Sequence, residues 1–230
     1  MEKLEIRDDV ELSNREKEVY RTLRTNLEFT GVENRAIAVT SCTPNDGKSV
    51  VSYNLSLALA ESGKNTLFVD ADLRKSVLVH RLNLKNPSKG LSHLLSGQAG
   101  ANDVIYSTNK KNLFMIPSGI FPSNPTELLS NGIFEKLVGG LKGTFDYIVV
   151  DTPPLGSVID AAVIAKICDG SVLVLAADKS SRNEAKSVVG QLKAANSNVL
   201  GVVLNKVDYK GNGYYGKKYG GYYGKYSSYY

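Results

Sequence analysis

The stretch Thr40-Ser41-Cys42-Thr43-Pro44-Asn45-Asp46-Gly47-Lys48-Ser49 has the composition of a polyphosphate cradle. It follows the apolar run Ala36-Ile37-Ala38-Val39 and opens onto a helix-like segment from Val50 to Ser62. A strand that turns sharply into a helix aims several unpaired backbone N–H groups, and the positive end of the helix dipole, at one point. In such a loop Asn45, Asp46, Gly47 and Val50 lie against the phosphates, Lys48 reaches the outer ones, and the Ser49 hydroxyl ligates Mg²⁺. The strict pattern G-x-x-x-x-G-K-[ST] wants glycine where Cys42 stands, so the loop is a variant.

Two further strand ends carry the remaining chemistry. Leu67-Phe68-Val69-Asp70-Ala71-Asp72-Leu73-Arg74 leaves the sheet on an Asp-x-Asp pair, and Tyr147-Ile148-Val149-Val150-Asp151-Thr152-Pro153-Pro154 ends on a single aspartate. Mg²⁺ is normally held by one or two protein carboxylates plus substrate phosphates, a requirement that Asp70, Asp151 and Ser49 meet. Asp72 is then free to accept a proton from an incoming hydroxyl, as an aspartate does in hydroxyl phosphorylation. Any one of these aspartates could be a helix cap. Three behind a phosphate loop, each at the end of a strand, make a catalytic set with Lys48.

The last apolar strand closes on Asn205-Lys206-Val207-Asp208, which is also the guanine-reading pattern of GTPases. GTPases need Asp-x-x-Gly after the second metal strand, where this chain has Asp151-Thr152-Pro153-Pro154. Asn205 is expected to touch an adenine from the same strand end.

The elements that must position these residues alternate from Ala36 onward. Strands are expected at 36–41, 66–70, 113–117, 147–151, 171–176 and 199–205, and helices at 48–62, 76–82, 126–138, 159–167 and 182–195. This is the pattern of an α/β fold with a mostly parallel central sheet and helices on both faces. Right-handed crossovers bring the acidic strand ends beside the phosphate loop. Upstream, Ser13 and Glu16 form a capping box, and Val19, Tyr20, Leu23 and Leu27 fall on one face of a helix over 14–29. Glu18, Arg21 and Arg24 lie off that stripe. Residues 1–12 are charged and patternless and are expected to be a mobile arm. The domain plan is therefore an arm and helix (1–35), a catalytic domain (36–208) and a tail (209–230).

A chain of 230 residues with 42% hydrophobic content supports one α/β domain. Cys42 and Cys168 are too few for a disulfide framework or a metal cluster, which points to a reducing cytosol. No stretch approaches the ~20 apolar residues of a membrane span, and the start lacks the profile of a signal peptide, so any membrane link is expected to come through a partner or a surface. The net charge of +5 is mostly local: residues 209–230 hold four lysines and no acid. The 24 basic residues that remain of 28 face 23 acidic ones, which argues against nucleic acid as a partner. The tail also holds nine of the thirteen tyrosines and six glycines, with no aliphatic residue, a composition expected to be disordered.

Together these features resemble the bacterial tyrosine kinases of capsule and exopolysaccharide biosynthesis, in the form where the kinase is a separate cytoplasmic polypeptide. The carriers are the variant loop Ser41 to Ser49; Asp70-x-Asp72-x-Arg74; Val150-Asp151-Thr152-Pro153-Pro154; Asn124-Pro125-x-Glu127-Leu128-Leu129; E-x-x-R-x-x-R at Glu18, Arg21 and Arg24; and the terminal tyrosines. The resemblance implies a P-loop NTPase fold of the partition-ATPase-like type, ATP/ADP and Mg²⁺ as cofactors, and Lys48, Asp70, Asp72 and Asp151 as catalytic residues. It implies a homo-oligomeric ring built through Glu18, Arg21 and Arg24 that dissociates on phosphorylation. The acceptors are then Tyr214, Tyr215, Tyr219, Tyr222, Tyr223, Tyr226, Tyr229 and Tyr230 of a neighbouring subunit. It also implies a membrane-spanning activator or chain-length protein, which places the kinase at the inner face of the plasma membrane, and a cognate tyrosine phosphatase. Partition and septum-placement ATPases are the nearest competitors. They carry a signature lysine where this chain has Thr43, and they have no use for a polytyrosine tail. A nucleotide switch, ATPase or GTPase, and a scaffold that binds through its tail are the other two readings.

Overall fold

The computed structural model describes residues 2–7, 12–84, 87–177 and 179–208. Its elements in chain order are β1 (Lys3–Leu4), α1 (Asn14–Glu28), β2 (Ala36–Ser41), α2 (Lys48–Glu61), β3 (Thr66–Asp70), α3 (Leu78–Arg81), α4 (Leu91–Leu95), α5 (Ala101–Val104), β4 (Tyr106–Thr108), β5 (Leu113–Ile116), α6 (Pro125–Ser130), α7 (Ile133–Leu141), β6 (Tyr147–Asp151), α8 (Asp160–Ile167), β7 (Gly170–Ala176), α9 (Arg182–Ala194) and β8 (Val199–Asn205). The strands form one sheet in the order β1-β4-β5-β3-β6-β2-β7-β8. From β5 to β8 every neighbouring pair is parallel, and β4 meets β5 antiparallel.

Alternation along the strands decides which helices cover which face, since successive side chains point to opposite sides. Ile37 and Val39 of β2, with Val149, Val172 and Val174, pack against Val51, Leu55 and Leu59 of α2 and Leu27 of α1. Ala36, Ala38, Val69, Ile148, Val150 and Leu173 face the other way, onto Leu95 of α4, Phe134 of α7, Ile164 of α8 and Leu192 of α9. Both faces are thus covered, as the near-continuous apolar strands require.

Several sequence expectations change. The stretch before residue 8 is not a free arm: β1 pairs with β4, Leu4 and Ile6 are buried, and Asn109 exchanges two hydrogen bonds with the Ile6 backbone. Two apolar residues at period two inside a charged stretch are too short a signal to read. The helix expected over 126–138 is broken by Gly132, which takes φ 81° between α6 and α7. Helix α3 starts only at Leu78, because the Ser76 hydroxyl caps it by accepting the Leu78 N–H and is itself turned toward Asp70. The expected strand over 113–117 stops at Ile116. Elements α4, α5 and β4 fall between the elements expected at 76–82 and 113–117, each being only three to five residues long. Val19, assigned to the buried face of α1, is 42% exposed, and Leu27 is the residue that reaches the core. No helix among the described residues is long and apolar enough to cross a membrane.

Candidate active site

The phosphate loop runs from the end of β2 into α2 through two left-handed residues, Asn45 (φ 66°) and Gly47 (φ 94°). The positive φ favours glycine at Gly47, and a Cβ there would lie 2.0 Å from the Asn205 amide nitrogen and displace that side chain. Asn205, at the end of β8, donates its amide to the Asp46 carbonyl at 2.9 Å. The fully buried Asp46 carboxylate accepts the Thr43 N–H (2.8 Å), the Thr43 hydroxyl (2.9 Å) and Lys179 Nζ (3.1 Å), closing the loop on itself. Lys179 also donates to the Pro44 carbonyl and Lys206 Nζ to the Asn45 carbonyl at 2.6 Å. Asp46 and Asn205, expected to contact nucleotide, thus direct these side-chain bonds into the loop itself. Val50 lies in the first turn of α2, its N–H donating to the Gly47 carbonyl.

Parallel register brings the acids together. Asp70 and Asp151 are direct partners at the ends of neighbouring strands β3 and β6, and Asp72 follows two residues after Asp70. All three are buried, and Lys48 is the ammonium among them: its Nζ lies 3.2 Å from Asp72, 3.8 Å from Asp151 and 3.1 Å from the Ser49 hydroxyl. Burial, reinforced by the Asp151 charge, pushes the Asp70 carboxyl up to about 7. Burial also raises Asp151, against the pull of Lys48 and hydrogen bonds from Ser49 and Ser52. Burial alone would lower Lys48, but Asp151 and Asp72 outweigh it and hold the amine charged.

Three carboxylates around one amine leave a net negative hole. Asp151 Oδ2 is buried without a hydrogen-bond donor, the feature that a cation would satisfy. The donors here, Ser49, Asp70 and Asp151, are all oxygen, which suits Mg²⁺. Among the described residues no three acid, imidazole or thiol groups close on one point. A Mg²⁺ here would need ligands from the substrate phosphates, its usual mode of binding.

The segment after β6 is stitched to β2. The Thr152 N–H and hydroxyl both donate to the Val39 carbonyl (3.1 and 2.9 Å), and Thr40 donates to the Pro153 carbonyl at 3.0 Å. Gly156 passes so close to Cys42 that a Cβ would sit 2.2 Å from its carbonyl oxygen. Burial pushes the Cys42 thiol up to about 11 and the Cys168 thiol to about 12, so neither is a nucleophile at neutral pH.

The AAA domain family matches residues 34–205. A tyrosine-protein kinase of Streptococcus agalactiae, CpsD, is 42% identical over 224 residues, 95% of this chain and 98% of that one. The chain belongs to the bacterial tyrosine-protein kinases. The kinase domain of the Escherichia coli tyrosine kinase ETK superposes with a TM-score of 0.81 at 34% identity, over 86% of this chain and 78% of that one. The Pyrococcus horikoshii septum site-determining protein MinD, solved with Mg-ADP, gives 0.65 at 29% identity, over 74% and 69%. The fold is thus shared with septum-placement ATPases, whereas near full-length identity lies with the kinases. These enzymes pass a phosphoryl group from ATP to protein tyrosine, giving ADP and phosphotyrosine.

In this kinase the sequence motifs omit one structural clamp. Arg74 forms a bidentate pair with the buried Asp160 at the start of α8, Nε to Oδ2 at 2.6 Å and Nη2 to Oδ1 at 3.1 Å. Thr126 of α6 donates to the same carboxylate at 2.5 Å. Asp160, Thr126 and Lys179 carry no sequence signal, because each matters through a partner far away in the chain, and Ser76, six residues from its partner Asp70, belongs to no motif. Lys206 was visible only inside the Asn-Lys-x-Asp pattern. On α1, Glu18 and Arg21 pair in solvent at 3.2 Å, whereas Arg24 turns inward and donates to the Ala58 carbonyl of α2. The tail tyrosines, Tyr214 to Tyr230, lie outside the described residues.

Proposed function

We propose that this kinase phosphorylates the tail tyrosines of a neighbouring subunit within a ring, under a membrane-spanning activator, and so regulates capsule and exopolysaccharide synthesis and export. The observation that carries this reading is the Lys48 amine clasped by Asp72 and Asp151 beside a phosphate loop. Backbone N–H groups of Gly47, Lys48 and Ser49 and the Lys48 amine bind the polyphosphate. Ser49, Asp70 and Asp151 would hold Mg²⁺, which when bound would supply positive charge to the transferring phosphoryl group.

Asp72 is the acceptor-side group. Its Oδ1 receives the Arg74 and Lys75 N–H groups at 3.3 and 3.0 Å, which fixes the carboxylate, while Oδ2 faces Lys48. When Lys48 turns to phosphate, Oδ2 is released to take the tyrosyl proton as the phenolic oxygen bonds to phosphorus and ADP departs. Asn205 holds the loop under the nucleotide. Each phosphate added to the tail brings about −1.5 to −2 charges. A few of them reverse the charge of a segment with four lysines and no acid, which loosens the ring. A cognate phosphatase resets it.

The test mixes wild-type chain with a size-tagged Asp70→Asn chain, ATP, Mg²⁺ and the activator's cytoplasmic segment. Phosphotyrosine is expected on the tagged tail only when the wild type is present. ATP turnover that leaves every tail tyrosine unmodified would instead establish a partition-type regulatory ATPase.

For the ring, Arg21 is the cleaner probe, since it is exposed and Arg24 also anchors α1. Arg21→Ala is expected to lower the mass in light scattering while the melting temperature stays within about 1 °C. Arg24→Ala should lower both, with a stability loss of about 1 kcal/mol from the broken bond to Ala58.

A further inference from the structure

Strands β5, β3 and β6 are adjacent and parallel, so the loops after them leave from one edge of the sheet. The Arg74–Asp160–Thr126 clamp ties those three loops into one unit, since each partner comes from or borders a different one. Each loop also holds apolar side chains in solvent: Val77 after β3 (49% exposed), Ile120 and Phe121 after β5 (60% and 57%), and Ile159 after β6 (55%). A single exposed apolar residue needs no explanation. Four on clamped loops that leave the same sheet edge as Asp72 call for a reason to be there.

We infer that Val77, Ile120, Phe121 and Ile159 are the acceptor platform, on which an aromatic ring from residues 209–230 of a second copy docks before its hydroxyl reaches Asp72. This rests on the kinase reading above. A tyrosyl oxygen arriving at Asp72 must carry its ring across this edge. The tail supplies nine tyrosines and no aliphatic residue, so ring contacts are the apolar recognition it can make. Its six glycines let the backbone turn any of those rings inward. An apolar platform with one phenylalanine therefore accepts many tyrosines without reading the surrounding sequence.

The place where the tail begins favours a second copy. Asp208 follows β8, and β7, β2 and β6 lie between β8 and β3. That separation of four strand spacings, about 19 Å, is within reach of some six extended residues. The path in cis, however, crosses the phosphate loop after β2, where the nucleotide must lie. A tail arriving from another subunit on the β5 side does not cross it.

The test uses a full-length donor carrying Ile120→Ser and Phe121→Ser, with the Asp70→Asn chain as acceptor, ATP, Mg²⁺ and the activator's cytoplasmic segment. Initial rates are followed against acceptor concentration, with wild-type donor in parallel. The KM for acceptor is expected to rise about tenfold with kcat held within about twofold. Ile159→Ser, on a separate loop, should raise it about threefold. An unchanged acceptor KM in both variants overturns the platform. A fall in kcat at constant KM also overturns it, as does a loss of assembly mass, which would make these residues a subunit contact. A wild-type donor that leaves the acceptor unphosphorylated defeats the kinase reading itself, and the parallel run separates that failure from the platform's own.

Discussion

Replacing Lys48 with methionine is expected to lower tail phosphorylation by about 10²–10³-fold, the scale for deleting one preorganised charge from a transition state. The same change should lower the stability of the nucleotide-free protein at pH 7.5 by about 3 kcal/mol, because breaking a buried ion pair strands the partner charges. Here the stranded groups are Asp72 and Asp151, 3.2 and 3.8 Å from the lost amine, with Asp70 beside them. Unpaired buried carboxylates hold protons more tightly in the folded chain than in the unfolded one. The lost stability should therefore return as pH is lowered, in urea melts between pH 8 and 5. Lys48→Arg keeps the charge and should recover most of the stability but little of the activity, since the guanidinium cannot replace a compact ammonium. A Lys48→Met protein as stable as wild type at pH 7.5 would show that the amine is not the counterion of the cluster.

Asp70→Asn should have the opposite effect on stability and the same effect on activity. The folded-state carboxyl titrates at about 7, against 3.8 without the protein around it. Between those values the folded chain keeps a proton that the unfolded chain has released, so stability falls as pH rises through the window. At about 1.4 kcal/mol per pH unit between 3.8 and about 7, the total is on the order of 4 kcal/mol. Asparagine removes the titration while keeping an oxygen for the Asp72 N–H, which lies 3.3 Å from Oδ1. The variant should therefore melt higher than wild type above pH 7 in the absence of nucleotide, with a flatter pH profile. Phosphotransfer should drop at least about 100-fold, because a neutral amide is a poor Mg²⁺ ligand. Equal melting temperatures at pH 8 would contradict the burial argument. A functional site that costs the resting fold stability is a common arrangement, and this cluster is the place to look for it.

Much of this was readable without coordinates because the chemistry is local in sequence. The loop from Ser41 to Ser49 is continuous, and Asp70 and Asp151 are each announced by an apolar strand that ends on them. Such strands are buried on both sides, so their composition alone marks them, and parallel crossovers leave their ends little choice but to meet. The short pieces were not readable. Leu4 and Ile6 joined the core through β4, a strand of three residues, and the break at Gly132 needed the packing of α6 and α7 to show where the chain turns.

The amino-acid order therefore determined the fold class, the phosphate loop and the identity of the acids, since each follows from residue types a few positions apart. The tertiary structure alone decided how those groups are poised. The register pairing Asp70 with Asp151, the burial that raises both, the grip of Lys179, Asn205 and Lys206 on the loop, and the pairing of Arg74 with Asp160 all join residues dozens to more than a hundred positions apart. Distances and desolvation exist only once the sheet has closed, so no spacing in the sequence could have given them.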